Sequence, residues 1–97
     1  MLDITYSRQA KNYLKKLNDR NLKDEFKTAI LEIREDPSVG IQKRGDLAGI
    51  YGYDLYYTGI NYEIAYTIEK EAERDYINLI MVGTRENFWK EIKRYID

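Results

Sequence analysis

The chain has 97 residues, 43% of them hydrophobic and 34% charged, which suits one small core, so we expect residues 1–97 to form a single domain. It contains no Cys and no His, which excludes disulfides, thiol or histidine catalysis and the usual metal-ligand clusters, so we expect no metal and no cofactor. Sixteen Lys and Arg against seventeen Asp and Glu leave a net charge of −1, so contact with nucleic acid requires a local basic patch.

The first third of the chain predicts a strand followed by two helices. Residues 2–6 alternate apolar and polar side chains, and Ser7 is well placed to cap a helix. Apolar residues then recur at helical spacing, which predicts helices over roughly 7–18 and 20–35. The side chains expected to face the sheet are Leu14, Phe26, Ile30 and Ile33.

The rest of the chain predicts three strands and a closing helix. An aromatic strand at residues 50–57 turns at 58–59 into a second strand over 61–69. Residues 76–82 are apolar almost throughout, which is typical of a strand covered on both faces. Residues 86–96 return to helical spacing.

This order of elements predicts an α+β fold. No crossover separates the last three strands, so they should pair antiparallel. We expect an N-terminal helix hairpin packed on one face of a small antiparallel β-sheet, and a short C-terminal helix on the other face. Alternation puts Tyr62 and Ile64 on the hairpin face and Glu63 on the opposite one. No segment has the uncharged length of a signal peptide or membrane span, so we expect a cytoplasmic protein without membrane contact.

Two segments resemble a known family. Residues 45–66 read GDLAGIYGYDLYYTGINYEIAY, similar to the RelE/ParE signature in which a Leu-x-Gly segment leads into a hairpin carrying Tyr-Arg-Ile-x-Tyr. Residues 82–95 read VGTRENFWKEIKRY, similar to its closing Gly-x-Arg/His-x-x-x-aromatic segment. The resemblance implies a toxin of a bacterial type II toxin–antitoxin system, blocked by an antitoxin encoded beside it. Many members of that family cut mRNA in the ribosomal A site.

One strand position departs from the family pattern and keeps several functions open. Glu63 stands where many ribonuclease members carry arginine, and this chain is mildly acidic where those members are basic. The first function is a ribosome-dependent mRNA endonuclease. The second is a ParE-like inhibitor of DNA gyrase, which needs no catalytic constellation and is made more plausible by the departure. The third is a member of the fold that has lost toxicity and only binds its antitoxin.

Two residues are candidates for catalysis. Cleavage of RNA without metal or histidine needs a base for the ribose 2′-OH and cations for the phosphorane. The resemblance gives the position of Arg85 the Arg or His that contacts the scissile phosphate; we predict that this residue begins the last helix, where backbone N–H groups also favour an anion. Glu63 could act as the base or orient Arg85, or it could be a solvated strand residue or half of an ion pair.

Four further residues are candidates for substrate binding. Lys43 and Arg44 could grip the phosphate backbone or be ordinary charges of a surface loop. Trp89 could stack on a base or pack in the small C-terminal core. Tyr53 could lie near the same cleft and contact RNA, although strand propensity accounts for most of the ten tyrosines.

Overall fold

A computed structural model describes residues 1–96 and contains one five-stranded sheet with helices on both faces. Two 3-10 turns, Pro37–Val39 and Gly45–Leu47, lie on either side of the second strand. The strands lie side by side in the order β1-β5-β4-β3-β2. In chain order, the elements are β1 (Asp3–Tyr6), α1 (Arg8–Lys15), α2 (Arg20–Glu35), β2 (Ile41–Gln42), β3 (Ile50–Tyr57), β4 (Ile60–Glu69), β5 (Tyr76–Thr84) and α3 (Phe88–Ile96). The α+β class is as predicted.

The sheet is mixed, whereas an antiparallel sheet was predicted. Strands β3, β4 and β5 pair antiparallel as expected, but β1 runs parallel to β5. The reason lies where β1 ends and α1 begins. The Ser7 hydroxyl donates to the Ile80 carbonyl at 2.7 Å, and the Gln9 side chain exchanges two hydrogen bonds with the backbone of Val82 at 2.9 and 3.0 Å. These side chains continue along β5 where β1 stops, and they align β1 with it.

The helix hairpin covers one face of the sheet as predicted, with α1 ending at Lys15, earlier than expected. Ser7 and Asp19 cap the two helices, because their side chains accept hydrogen bonds from the Ala10 and Leu22 N–H groups. Phe26 is 1% exposed and meets the Tyr62 ring edge-on at 5.6 Å. The predicted contacts Leu14, Phe26, Ile30 and Ile33 all belong to this core.

A smaller core lies on the opposite face, under α3. Phe88 and Ile92 are fully buried there and pack against Ala65 of β4. A bulge in β5 helps to fill this core: the register passes from Ala65 opposite Met81 to Tyr66 opposite Leu79, and both Ile80 and Met81 belong to the α3 core. Within residues 1–96, no helix has both the length and the apolar character needed to cross a membrane.

A buried tyrosine holds the chain between α2 and β3 in place. The Tyr66 hydroxyl donates to the Pro37 carbonyl at 2.7 Å and accepts from the Gly40 N–H at 3.0 Å. A Cβ on Gly40 would lie 2.6 Å from that hydroxyl oxygen, so glycine is needed for the close approach. The two-residue strand β2 follows, and the Lys43 N–H then donates to the Ile50 carbonyl at 2.8 Å. These contacts place Lys43 beside the first residue of β3.

Candidate active site

The β3–β4 hairpin brings two carboxyl groups together. A two-residue turn at Thr58-Gly59, with positive φ at both positions, pairs Tyr57 with Ile60. Counting outward from that pair places Asp54 directly opposite Glu63. Glu63 is only 3% exposed, whereas Asp54 is exposed. The two side chains therefore form a cross-strand carboxyl pair, one member buried and one in contact with solvent.

Arg85 lies beside the buried carboxyl. It follows the last residue of β5 in a bend, and its N–H donates to the Asn61 carbonyl at 2.8 Å. Its Nε is 3.8 Å from Glu63 Oε1, and its side chain is 63% exposed. This distance makes a loose ion pair without a hydrogen bond, which leaves the guanidinium donors available to a ligand. The prediction that Arg85 begins α3 is wrong, since the helix starts at Phe88.

A second cation is held against an aromatic ring. The Lys43 Nζ lies 4.2 Å from the centroid of the Trp89 ring. Both side chains rest on the backbone of β3 at Gly52: a Cβ there would lie 2.7 Å from Trp89 Cζ2 and 3.0 Å from Lys43 Cε. Gly52 is two residues from Asp54 and on the same face of the strand. The ammonium group therefore lies next to the carboxyl pair.

The surroundings of Glu63 change its acidity. Burial, with the hydrogen bond and charge of Asp54, raises the pKa of the Glu63 carboxyl to about 7, and the positive charges of Lys43 and Arg85 act in the opposite direction. The carboxyl consequently changes its protonation state near neutral pH. A carboxylate of this basicity between two cations is suited to accept a proton beside a phosphate group.

The structure brings four of the six predicted site residues together and separates two. Glu63, Arg85, Lys43 and Trp89 form the cluster described above. Tyr53 lies on the opposite face of β3, where its hydroxyl donates to Glu32 of α2 at 2.7 Å, so the expectation that it lies near the cleft is wrong. Burial and the Glu32 carboxylate raise the pKa of this tyrosine to about 12.

Arg44 is the second residue that is separated from the cluster. It lies in the loop before β3, where its side chain makes no capping hydrogen bond to the following 3-10 turn.

The site residue that was not predicted from the sequence is Asp54. The sequence did contain the information needed to find Asp54. A two-residue turn at 58–59 fixes which residues of the two strands face each other, and this register places Asp54 opposite Glu63.

Two depressions on the surface differ in chemistry. The larger one, about 510 Å³, lies between α1 and α2. A smaller one of about 320 Å³ adjoins Arg85, between Asn61 and Glu86. The larger depression has an apolar floor and a rim of ammonium groups without a carboxyl group, so it suits binding and offers no base. Its lining residues are Tyr6, Lys11, Leu14, Lys15, Lys23, Phe26, Lys27 and Ile30.

Comparison with known proteins identifies a matching family and several similar folds. Residues 4–93 match the family described as the ParE-like toxin of type II bacterial toxin–antitoxin systems. A chain of the intact E. coli RelBE toxin–antitoxin complex is similar, with 20% identity and a TM-score of 0.69 over 86% of this chain and 95% of that one. The YoeB/ParE toxin of Agrobacterium tumefaciens has 12% identity and a TM-score of 0.70 over 87% and 99%.

An arginine-to-alanine double mutant of the E. coli toxin RelE, solved in the free state, has 20% identity and a TM-score of 0.69 over 96% of both chains. No curated protein matches the sequence. At these identities the structural likeness shows a shared fold, and that fold is the one predicted from the sequence.

Proposed function

We infer the function of this chain from its family: it belongs to the ParE-like toxins of type II bacterial toxin–antitoxin systems. We propose that it is a metal-independent endoribonuclease that cuts mRNA on the ribosome and so arrests translation. The observation that carries this proposal is the pairing of the buried Glu63 carboxyl, whose pKa is raised to about 7, with Arg85 at 3.8 Å. A general base and a phosphate-binding cation are the two groups that metal-free cleavage needs most.

Each group of the cluster takes one role in the proposed reaction. Glu63 accepts the proton of the ribose 2′-OH, and the 2′ oxygen then attacks the adjacent phosphorus. The bond from phosphorus to the 5′ oxygen breaks, which leaves a 2′,3′-cyclic phosphate on one fragment. The 5′ oxygen leaves with a proton from solvent, which reaches the exposed side of the site. Arg85 and Lys43 stabilise the negative charge of the phosphorane, and arginine suits this task because it stays charged and presents paired donors.

Inhibition of DNA gyrase is the second candidate function. It is favoured by Glu63 in the place where ribonuclease members of the family carry arginine, and by the net charge of −1. An inhibitor acts by binding and requires no proton transfer, so replacing Glu63 by glutamine would leave its activity unchanged. This difference makes Glu63 useful in separating the two functions.

The deciding experiment is brief expression of the wild type and of Arg85→Ala, followed by mapping of new mRNA ends. We expect cuts at codon-related positions in the wild type and a loss of roughly 30-fold to several-hundred-fold in Arg85→Ala, because a cation that binds the transition state contributes about 2–4 kcal/mol. Arg94→Ala is the matched control, since Arg94 is an exposed arginine in the last turn of α3. Circular dichroism should show that all three proteins are folded.

The other outcomes also decide between functions. Full toxicity of Arg85→Ala at matched expression would contradict the nuclease mechanism. Intact mRNA together with loss of negative supercoiling in a reporter plasmid would support the gyrase inhibitor. A folded wild type that neither arrests growth nor cuts mRNA would leave only binding to an antitoxin.

We also propose an antitoxin as the partner of this chain. The similar structures include the E. coli RelBE toxin–antitoxin complex, and the family itself is defined by its place in such systems. The partner should bring acidic or apolar residues to the cations of the site, at Arg85 and the loop of residues 43–46. Antitoxin segments that order on binding are suited to cover a surface of this kind.

A further inference from the structure

We propose that Trp89 is a positioning residue, whose indole face holds the Lys43 ammonium group beside the carboxyl pair, where that ammonium group receives a phosphate of the RNA. The inference rests on the proposed ribonuclease function and deepens it. It replaces the expectation that Trp89 stacks on a base, and it gives the aromatic residue a task within the protein.

Lys43 is held at both ends. Its backbone N–H donates to the Ile50 carbonyl at 2.8 Å, and its Nζ lies 4.2 Å from the Trp89 ring centroid. Among residues 1–96, no carboxylate approaches this Nζ within the 4.0 Å of an ion pair. An aromatic face attracts a cation without neutralising its charge. The ammonium group is therefore fixed in place and still able to bind an anion.

Trp89 is itself fixed by its neighbours. The ring meets the edge of Phe88 at 4.9 Å and an interplanar angle of 78°, and Phe88 is fully buried. On another side the indole approaches β3 so closely that a Cβ on Gly52 would lie 2.7 Å from Cζ2. Such an approach accounts for a glycine in the middle of an otherwise aromatic strand, where glycine is normally unfavourable. The strand, α3 and the ring thus set where the Lys43 side chain can go.

In this arrangement the two cations, Arg85 and Lys43, lie on different sides of the proposed base, Glu63. Arg85 follows β5 and lies 3.8 Å from Glu63, while Lys43 lies over Gly52 of β3. Strand β4, which carries Glu63, runs between them. A phosphate above Glu63 would therefore meet a positive charge from each side. Lys43 can serve as one of them only if its long side chain stays in place, and Trp89 provides that restraint.

The contact can be tested directly because the chain contains a single tryptophan. Its fluorescence should differ between the wild type and Lys43→Met, since the ammonium group on the ring is removed. Lys90→Met is the matched control: Lys90 is the exposed lysine next to Trp89 in α3, and its loss should leave the spectrum unchanged. Identical spectra for the wild type and Lys43→Met would overturn the proposal.

The role in RNA binding is tested by a double-mutant cycle. Lys43→Met and Trp89→Leu should each weaken binding of a 2′-O-methyl RNA oligonucleotide about 5- to 10-fold, and the double variant should bind no worse than either single variant. Both single variants should also lower the salt dependence of binding by about one phosphate contact. Trp89→Phe retains an aromatic face and should recover most of the binding, and it guards against a leucine variant that fails to fold.

The alternatives give different results. Additive losses with an unchanged salt dependence in Trp89→Leu would mean that the ring stacks on a base or only packs, and would overturn the proposal. The oligonucleotide cannot be cleaved, so binding is scored even if the wild type proves to be no nuclease. In that case the proposed function fails, while the coupling between Lys43 and Trp89 is still measured. A wild type that binds no RNA at all would overturn the phosphate-receiving role as well.

Discussion

Glu63 occupies a position where a carboxylate is costly. It lies on β4, the central strand of the five-stranded sheet, and its side chain is 3% exposed. Buried carboxylates are kept only where partners compensate for lost hydration. Here the nearest cation, Arg85, is 3.8 Å away and makes no hydrogen bond, so the compensation is incomplete. The raised pKa is the result, and it is the property that a general base requires.

The same pKa predicts how stability depends on pH. In an unfolded chain the glutamate carboxyl titrates near 4.5, while burial and Asp54 raise the pKa of Glu63 to about 7 in the folded protein. The folded state therefore binds the proton more tightly, and this contribution is complete below pH ~4.5 and lost as the pH rises through ~7. Glu63→Gln keeps a neutral side chain at every pH. It should exceed the wild type in stability at pH ~8, by up to ~3 kcal/mol, and match it at pH ~4.5.

Urea unfolding of both proteins between these pH values measures that difference. Glu69→Gln provides the control, since it removes a carboxyl from the same strand at its partly exposed end. A constant difference between Glu63→Gln and the wild type across the range would show that the carboxyl titrates at its ordinary value.

Ribonuclease activity should rise with pH over the range in which this contribution to stability is lost. In the proposed ribonuclease mechanism Glu63 can accept a proton only as the carboxylate, so cleavage by the wild type should increase as the pH rises through about 7 and then level off. Single-turnover cleavage of ribosome-bound mRNA at several pH values gives this profile. Asp54→Asn removes the carboxyl that helps to raise the pKa of Glu63, so its profile should shift to lower pH. A profile unaffected by Asp54→Asn would contradict the coupling between the two residues.

Which residues meet at the site could be predicted only in part. The alternation of β4 gave the face of Glu63, and the motif gave Arg85, because both depend on local sequence. The contact between Lys43 and Trp89 depends on Gly52, whose role is visible only when β3 and α3 are packed together. The face of Tyr53 was open to prediction from the hairpin register, which pairs it with the core residue Ile64.

Among the elements, those with a strong period or a defined turn were the predictable ones. Strand β3 and helix α2 both have the predicted bounds. A two-residue turn marks the end of β3, and Pro37 marks the end of α2. Strand β2 was not predicted because two residues are too few to show an alternation of apolar and polar side chains. The parallel pairing of β1 was missed because it depends on side chains of Ser7 and Gln9 that bond to β5 far along the sequence.

At the element scale, Tyr66 is the side chain on which the segment before β3 depends. Tyr66→Phe leaves the half-buried Gly40 N–H and Pro37 carbonyl without their partner, which should lower the free energy of unfolding by about 1–3 kcal/mol. Tyr56→Phe, on the same hairpin but with an exposed ring, should change it little. Chemical denaturation measures both. Equal stabilities for the two variants would contradict the structural role assigned to this hydroxyl.

At the scale of the whole molecule, the sheet separates two kinds of surface. One face carries the helix hairpin and its large apolar core, which gives the fold most of its buried apolar area. The other face carries α3 and a smaller core, and the carboxyl pair with its two cations lies beside that helix. In a protein with a net charge of −1, this site places two cations beside a carboxyl pair. This charge gives little long-range attraction to RNA, so the proposed RNA binding would depend on contacts within the site.

The same arrangement predicts where a partner blocks the toxin. Arg85 is an exposed cation of the site, and Arg44 is an exposed cation of the loop that carries Lys43, so an acidic or apolar antitoxin segment should cover Arg85 and residues 43–46. Co-expression with the neighbouring open reading frame should give a complex that restores growth and slows hydrogen exchange in these segments. Exchange at residues 70–75, at the opposite end of β5 from Arg85, should change little.

Arg85→Glu should weaken the complex by about tenfold or more, because it places like charges together, whereas Arg74→Glu in that distant turn should not. A complex that forms with full affinity to Arg85→Glu, and leaves 43–46 exchanging freely, would show that the antitoxin inhibits this toxin without covering its site.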